Sequence, residues 1–293
     1  MAAFAHDLMG RHKKLMGHWA WERRGKGERG RVKGLVFSSF TLYPLTFSPL
    51  AAPLPPASFP SHFYIKLREI LLFGVMELNQ IETNLQNPDF KYRLDAIAAL
   101  QDYPPEIALP LLTKHLQDPE FLVRSFVARG LGKQQTSESF AALLQIIKFD
   151  NTPNVQAEAA NSLSLFGRVS ASHLVKAFFM NDHWLLRRSI LAALIELKCS
   201  EELFEVCIQG LEGEDASVEE ASVEALGTLA GSRQHQAALS QLLILKNSES
   251  EHIRIQVAYA LKHYDDPDAK EALAQLRQDA NHRVIGAAME DLI

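Results

Sequence analysis

The residues of this chain able to do chemistry are its histidines, its two cysteines and a set of evenly spaced arginines. After Met76 the histidines are His115, His173, His183, His235, His252, His263 and His282, and none is followed by Glu. A metal site built from His-Glu dipeptides, or from H-E-x-x-H on one helix face, therefore lacks its ligands. There is no G-x-S-x-G and no glycine-rich phosphate loop, so no catalytic residue of the nucleophilic kind is offered. Cys199 and Cys207 are too few for a disulfide framework. With no His at zinc spacing, they read as buried, inert thiols of a reducing compartment. The arginines are different. Arg93, Arg124, Gln156, Arg187, Glu219, Arg254 and Ile285 form a column at intervals of 31, 32, 31, 32, 35 and 31 residues. Such a column could be a cationic ladder for a ligand's carboxylates. It could also be structural, each Arg bonding a turn acid, for example Arg124 with Asp118, and tying neighbouring units together. Gln156, Glu219 and Ile285 exclude an unbroken ladder and favour the structural reading.

The elements that position this column repeat with it. Seven residues after each member stands Leu100, Leu131, Leu163, Leu194, Leu226, Leu261 or Leu292. The line reads V-R-x-x-x-A-x-x-L, clearest at Val123–Leu131, Leu186–Leu194 and Ile253–Leu261. A period of this size predicts a right-handed all-α solenoid of about seven helix pairs, each unit burying its apolar face against its neighbours. One unit is read as a first helix around Ile107–Leu116, a break at Asp118-Pro119, and a second helix over Glu120–Leu131 that Gly132 stops. Six residues past the Arg column, Ala99, Gly130, Ser162, Ala193, Ala225 and Ala260 are small and permit close helix approach.

Charge divides the chain. Residues 1–75 carry 11 Lys/Arg against 4 Asp/Glu, a charge of +7, and residues 76–293 carry 19 against 31, a charge of −12. An acidic array repels a phosphate backbone, which argues against a nucleic-acid partner. Gly34 to Ile65 is uncharged, but six prolines between Pro44 and Pro60 would break a membrane-spanning helix, so no membrane insertion is expected. Two segments follow: 1–75, an extension expected to be disordered or an upstream read-through before a natural start at Met76, and 76–293, the repeat array.

With helix pairs, Asp-Pro turns and V-R-x-x-x-A-x-x-L second helices, the array resembles HEAT repeats. More narrowly, it resembles the HEAT-like repeats of the phycobilin-lyase family. Within that family the likeness is to the non-bleaching B group, the phycobilisome degradation proteins of cyanobacteria. It is carried by His183-Trp184-Leu185-Leu186-Arg187-Arg188-Ser189-Ile190-Leu191-Ala192-Ala193-Leu194 and by Ile253–Leu261. The resemblance implies a cytoplasmic protein, at the thylakoid-associated phycobilisome, whose partners are phycobiliprotein subunits. It requires no cofactor, though a bilin such as phycocyanobilin would be a ligand. The implied role is non-catalytic, in phycobilisome disassembly or bilin handling. Two alternatives stand beside it: a bilin lyase subunit working with a partner lyase subunit, and a scaffold for an unrelated protein. The iron-dependent deoxyhypusine hydroxylases resemble the chain in repeat type but need the His-Glu pairs it lacks.

In a curved solenoid the second helices line the concave face. Positions one and five residues after the Arg column point away from the core stripe: Leu94/Ala98, Ser125/Arg129, Ala157/Asn161, Arg188/Ala192, Glu220/Glu224 and Ile255/Tyr259. Arg129, Asn161, Arg188 and Tyr259 are the expected partner contacts, Arg and Tyr being enriched at binding hot spots. Trp184 either caps the core between units or offers a stacking surface to a bilin ring or a partner's aromatic. A bilin carries two propionates, so Trp184, Arg187 and Arg188 together could supply an apolar wall and two cations.

Overall fold

A computed structural model describes residues 76–290. Among them lie fourteen α-helices in seven antiparallel pairs and no β-strand. The pairs are α1 (Leu78–Leu85) with α2 (Phe90–Ala99), α3 (Pro105–Thr113) with α4 (Phe121–Gln134), and α5 (Ser137–Phe149) with α6 (Pro153–Ser164). Then come α7 (Ala171–Met180) with α8 (Trp184–Leu197), α9 (Ser200–Leu211) with α10 (Ala216–Thr228), α11 (His235–Leu245) with α12 (Glu251–Leu261), and α13 (Pro267–Leu276) with α14 (His282–Met289). The expected extension over 1–75 and the last leucine of the column, Leu292, lie outside the described residues.

In five of the seven described pairs a side chain in the turn caps the second helix; α4 and α6 start without one. Asp89, Asp215 and Asn281 accept from backbone N–H groups two residues on, and Asp215 also takes the N–H of Val218. Each satisfies donors that the first helical turn leaves unpaired. The core follows the repeat. Val123, Val155, Leu186, Val218, Ile253 and Val284, one place before the Arg column, are buried, and so are the six described leucines of the Leu column. Tyr92 holds the first of these places in its unit and is half-exposed.

Three local expectations are corrected. The helix read as Ile107–Leu116 runs from Pro105 to Thr113, so it ends before the Asp-Pro break. Its partner does not stop at Gly132; it continues to Gln134 and ends on Gln135 in the left-handed conformation, φ 51°. Gly132 is there because α6 comes too close for a side chain: a Cβ would lie 2.7 Å from that of Ser162. Gly227 is similar, with a Cβ position 3.0 Å from the Cα of Ala260. Ser162 and Ala260 of the small column therefore serve contact between successive second helices, whereas Gly130 faces Leu112 of α3 in its own unit. Second helices pack on one another more tightly than first helices do, which makes them the inner layer of the array. Ala157 was expected to face outward from this layer and is buried, on a helix packed closely by the second helices before and after it.

Candidate functional site

The Arg column has a defined geometry. Arg93 forks onto Asp118 through Nε (2.8 Å) and Nη2 (2.9 Å), while its Nη1 donates to the carbonyls of Asn87 and Pro88. Arg124 does the same with Asp150, at 2.6 and 3.2 Å, and its Nη1 reaches the Asp118 carbonyl at 2.7 Å. Arg254 takes Asp279, at 2.8 and 3.1 Å, and the Ser248 carbonyl. Each arginine thus holds the backbone of its own turn and the carboxylate of the next unit's turn. The expected Arg124–Asp118 carboxylate pair is one unit off, because the fork points forward along the stack; Asp118 belongs to Arg93. These are structural bonds. Burial works against charge on Asp118, but hydrogen bonds from Arg93, the Glu120 N–H and His115 hold its carboxyl below the usual range. Asp279 is lowered first by its bond to Arg254 and then by the Asn281 N–H.

The middle of the array departs from this scheme. Gln156 replaces Arg and Asn181 replaces Asp, joined amide to amide at 3.3 Å. At the corresponding places stand Gly213 for Arg187 and Ser248 for Glu219. Among the described residues no cation is paired with Glu219, and burial together with the nearby Glu220 raises its carboxyl above the usual range.

The expected site residues are only partly brought together. Trp184, at the start of α8, is exposed and stacked on His183 at 5.9 Å. It shares a shallow recess of about 460 Å³ with Arg188, Asp215, Ala216 and Ser217. Asp215 is an acid that was not among the expected site residues. Its carboxyl is lowered by hydrogen bonds from Ser217 and the Val218 N–H, and further by the charge of Arg188. The recess is therefore of mixed charge, not the doubly cationic one expected. Arg187 is not part of it: its Nε donates to the Asn181 carbonyl at 2.8 Å and its guanidinium lies 5.0 Å from the Phe178 ring centre.

Elsewhere on the inner layer, Arg129 is exposed and engaged. It forks onto Glu158 of the next unit at 2.8 and 3.1 Å and covers Phe126. Asn161 is exposed on α6, and Tyr259, also exposed, lies under Lys262 on α12. These residues occupy separate helices along one face, as a long contact surface would. Sequence reading missed a second, apolar recess of about 290 Å³ between α5 and α7, walled by Leu144, Ile147, Ala177 and Met180 with Lys148 and Lys176 beside them. Its signal was the row of apolar residues ending α5 and α7, where Phe149 and Met180 are largely exposed.

Both cysteines are buried, and burial pushes the Cys207 thiol far above its ordinary value. Among the described residues no group of three or more His, Cys, Asp or Glu is placed to hold a metal ion. No described helix is long and apolar enough to cross a membrane.

Among curated proteins none matches the chain in sequence. Solved structures do. The chain is similar to the YibA protein of Escherichia coli, with 14% identity, 80% of this chain and 87% of that one covered, and a TM-score of 0.52. It is also similar to the complex of CpcE and CpcF of phycocyanin lyase from Nostoc sp. PCC7120 (17% identity, 84% and 100% covered, TM-score 0.42). A further likeness is to human deoxyhypusine hydroxylase (17% identity, 78% and 98% covered, TM-score 0.39). At 14% identity, what the chain shares with YibA is the fold alone. The sequence model of HEAT repeats matches residues 79–164, 109–195 and 204–293, and the chain belongs to the HEAT-repeat family.

Proposed function

We propose that this is a non-catalytic binding protein that engages phycobiliproteins through its inner layer of second helices and assists phycobilisome disassembly or bilin handling. The observation that carries the reading is the exposed Trp184 beside Arg188, on the helix whose sequence carries the likeness to the non-bleaching B proteins. An aromatic face next to a cation suits a partner's ring and its acidic groups. Arg129, Asn161 and Tyr259 extend the same face to either side. The place of action would be the cytoplasmic, thylakoid-associated phycobilisome.

The test is titration of the full chain with phycocyanin, with and without its bilin. The double substitution Trp184→Ala, Arg188→Ala should weaken binding about tenfold or more and leave helical content and melting nearly unchanged. Both side chains are exposed, so loss of fold together with binding would show that they serve the core. Binding that needs the bilin would favour chromophore handling, and covalent transfer of bilin to an acceptor cysteine would identify a lyase subunit. Equal binding with and without bilin would favour disassembly. No binding to either form would refute the proposal.

A further inference from the structure

We infer that Arg187 is a carboxylate receptor: the place that the next unit's Asp fills elsewhere in the column is left open at Gly213, for a carboxylate brought by a ligand or partner. Three arginines of the chain show how that place is normally filled. Arg93, Arg124 and Arg254 each fork onto an Asp of the following turn, 25 or 26 residues on. The corresponding residue for Arg187 is Gly213. The slot is real in space, because a Cβ at position 213 would lie 3.5 Å from Nη1 of Arg187. Its other near neighbour is the Gly210 carbonyl, also at 3.5 Å, so a Cβ there meets only ordinary van der Waals contact.

The guanidinium is also turned. In the other three units Nη1 holds the carbonyl of the unit's own turn. In Arg187 that bond is made by Nε, and neither Nη has an acceptor among the described residues. An arginine kept in the column while its acid is missing has a planar, two-pronged donor to offer, and a carboxylate is the group that matches it. Glu212 and Glu214 flank the gap but are exposed, where salt screens them. The inference deepens the reading of the Trp184 face as a binding surface and rests on it for the kind of partner, though not for the chemistry of the slot.

Sodium propionate, against sodium chloride at equal ionic strength, is the probe. In the ¹⁵N-labelled full chain it should produce a saturable shift of the Arg187 Nε–Hε signal, identified by its loss in Arg187→Gln. Gly213→Asp supplies the missing acid. It should abolish the propionate response and raise the melting temperature by about 2–4 °C. If that variant does not fold, Arg187→Gln, which copies Gln156 of the same column, should lose the rise in melting temperature that propionate causes. Displacement of propionate by biliverdin but not by its dimethyl ester would place the carboxylate on a bilin. Displacement by bilin-free phycocyanin would place it on a protein side chain. A response equal to that with chloride, or one that survives in Gly213→Asp, would overturn the inference. A propionate response without phycocyanin binding would support the slot and count against the proposed partner.

Discussion

Replacing Arg93 by Met tests the structural role of the arginine column most severely. The substitution keeps an unbranched apolar stem, though a shorter one, and removes the charge and donors. Arg93 and Asp118 have side chains only 10% and 4% accessible, joined by two bonds of 2.8 and 2.9 Å. The loss strands the Asp118 carboxylate in a buried place, a situation that costs about 3–5 kcal/mol. The lower end applies, about 3 kcal/mol, because Asp118 keeps its bonds to the Glu120 N–H and to His115. That corresponds to a fall of roughly 6–12 °C in melting temperature. Arg129→Met is the control. The Arg129–Glu158 pair has similar geometry, but its side chains are 55% and 22% accessible, so its loss should cost less than about 1 kcal/mol. Adding Asp118→Asn to Arg93→Met should recover part of the loss, since no charge is then stranded. Urea unfolding followed by circular dichroism measures the totals. Hydrogen exchange in α2 and α4 places them, because an array of repeats need not unfold in one step. Equal costs for Arg93→Met and Arg129→Met would refute the claim that buried forks tie the units together.

Acid should loosen the array at the same bonds. Asp118 and Asp279 have folded-state values below their unfolded ones, so their stabilisation is full above the unfolded value, near pH 4, and is lost as pH falls through the lowered range. A pH series of melting temperatures should drop there for the natural protein and less for Asp279→Asn. Glu219 has the opposite sign: its carboxyl is raised, so its ionisation opposes folding as pH rises through that value. Glu219→Gln should therefore stabilise at neutral pH by less than about 1 kcal/mol, and a melting temperature lower than the natural one would contradict this. Gly132→Ala should destabilise by about 1–3 kcal/mol, because the new methyl would stand 2.7 Å from Ser162. Thermal melting that is unchanged would show that α4 and α6 can part without cost.

Seven helix pairs, the two buried columns and the small column are legible in the sequence, because burial in a solenoid repeats locally and each unit writes the same pattern. The absence of a His-Glu pair was equally plain. The local misreadings share one cause. Gly132 looks like a helix stop from its neighbours in sequence, yet its partner is Ser162, thirty residues away on the next second helix. Arg124 has an acid six residues behind it, yet its fork takes one 26 residues ahead. Trp184, Arg187 and Arg188 are close in sequence, yet only Trp184 and Arg188 share a recess, and Asp215 of the next unit joins them. Gly213 stands in a turn and was not among the residues that spacing singled out. Its meaning depended on knowing that each arginine reaches forward by one unit. The sequence by itself determined the units and which of their faces are buried. The tertiary structure alone decided which groups meet across the seam, because those distances are set by how successive second helices stack and not by spacing along either one.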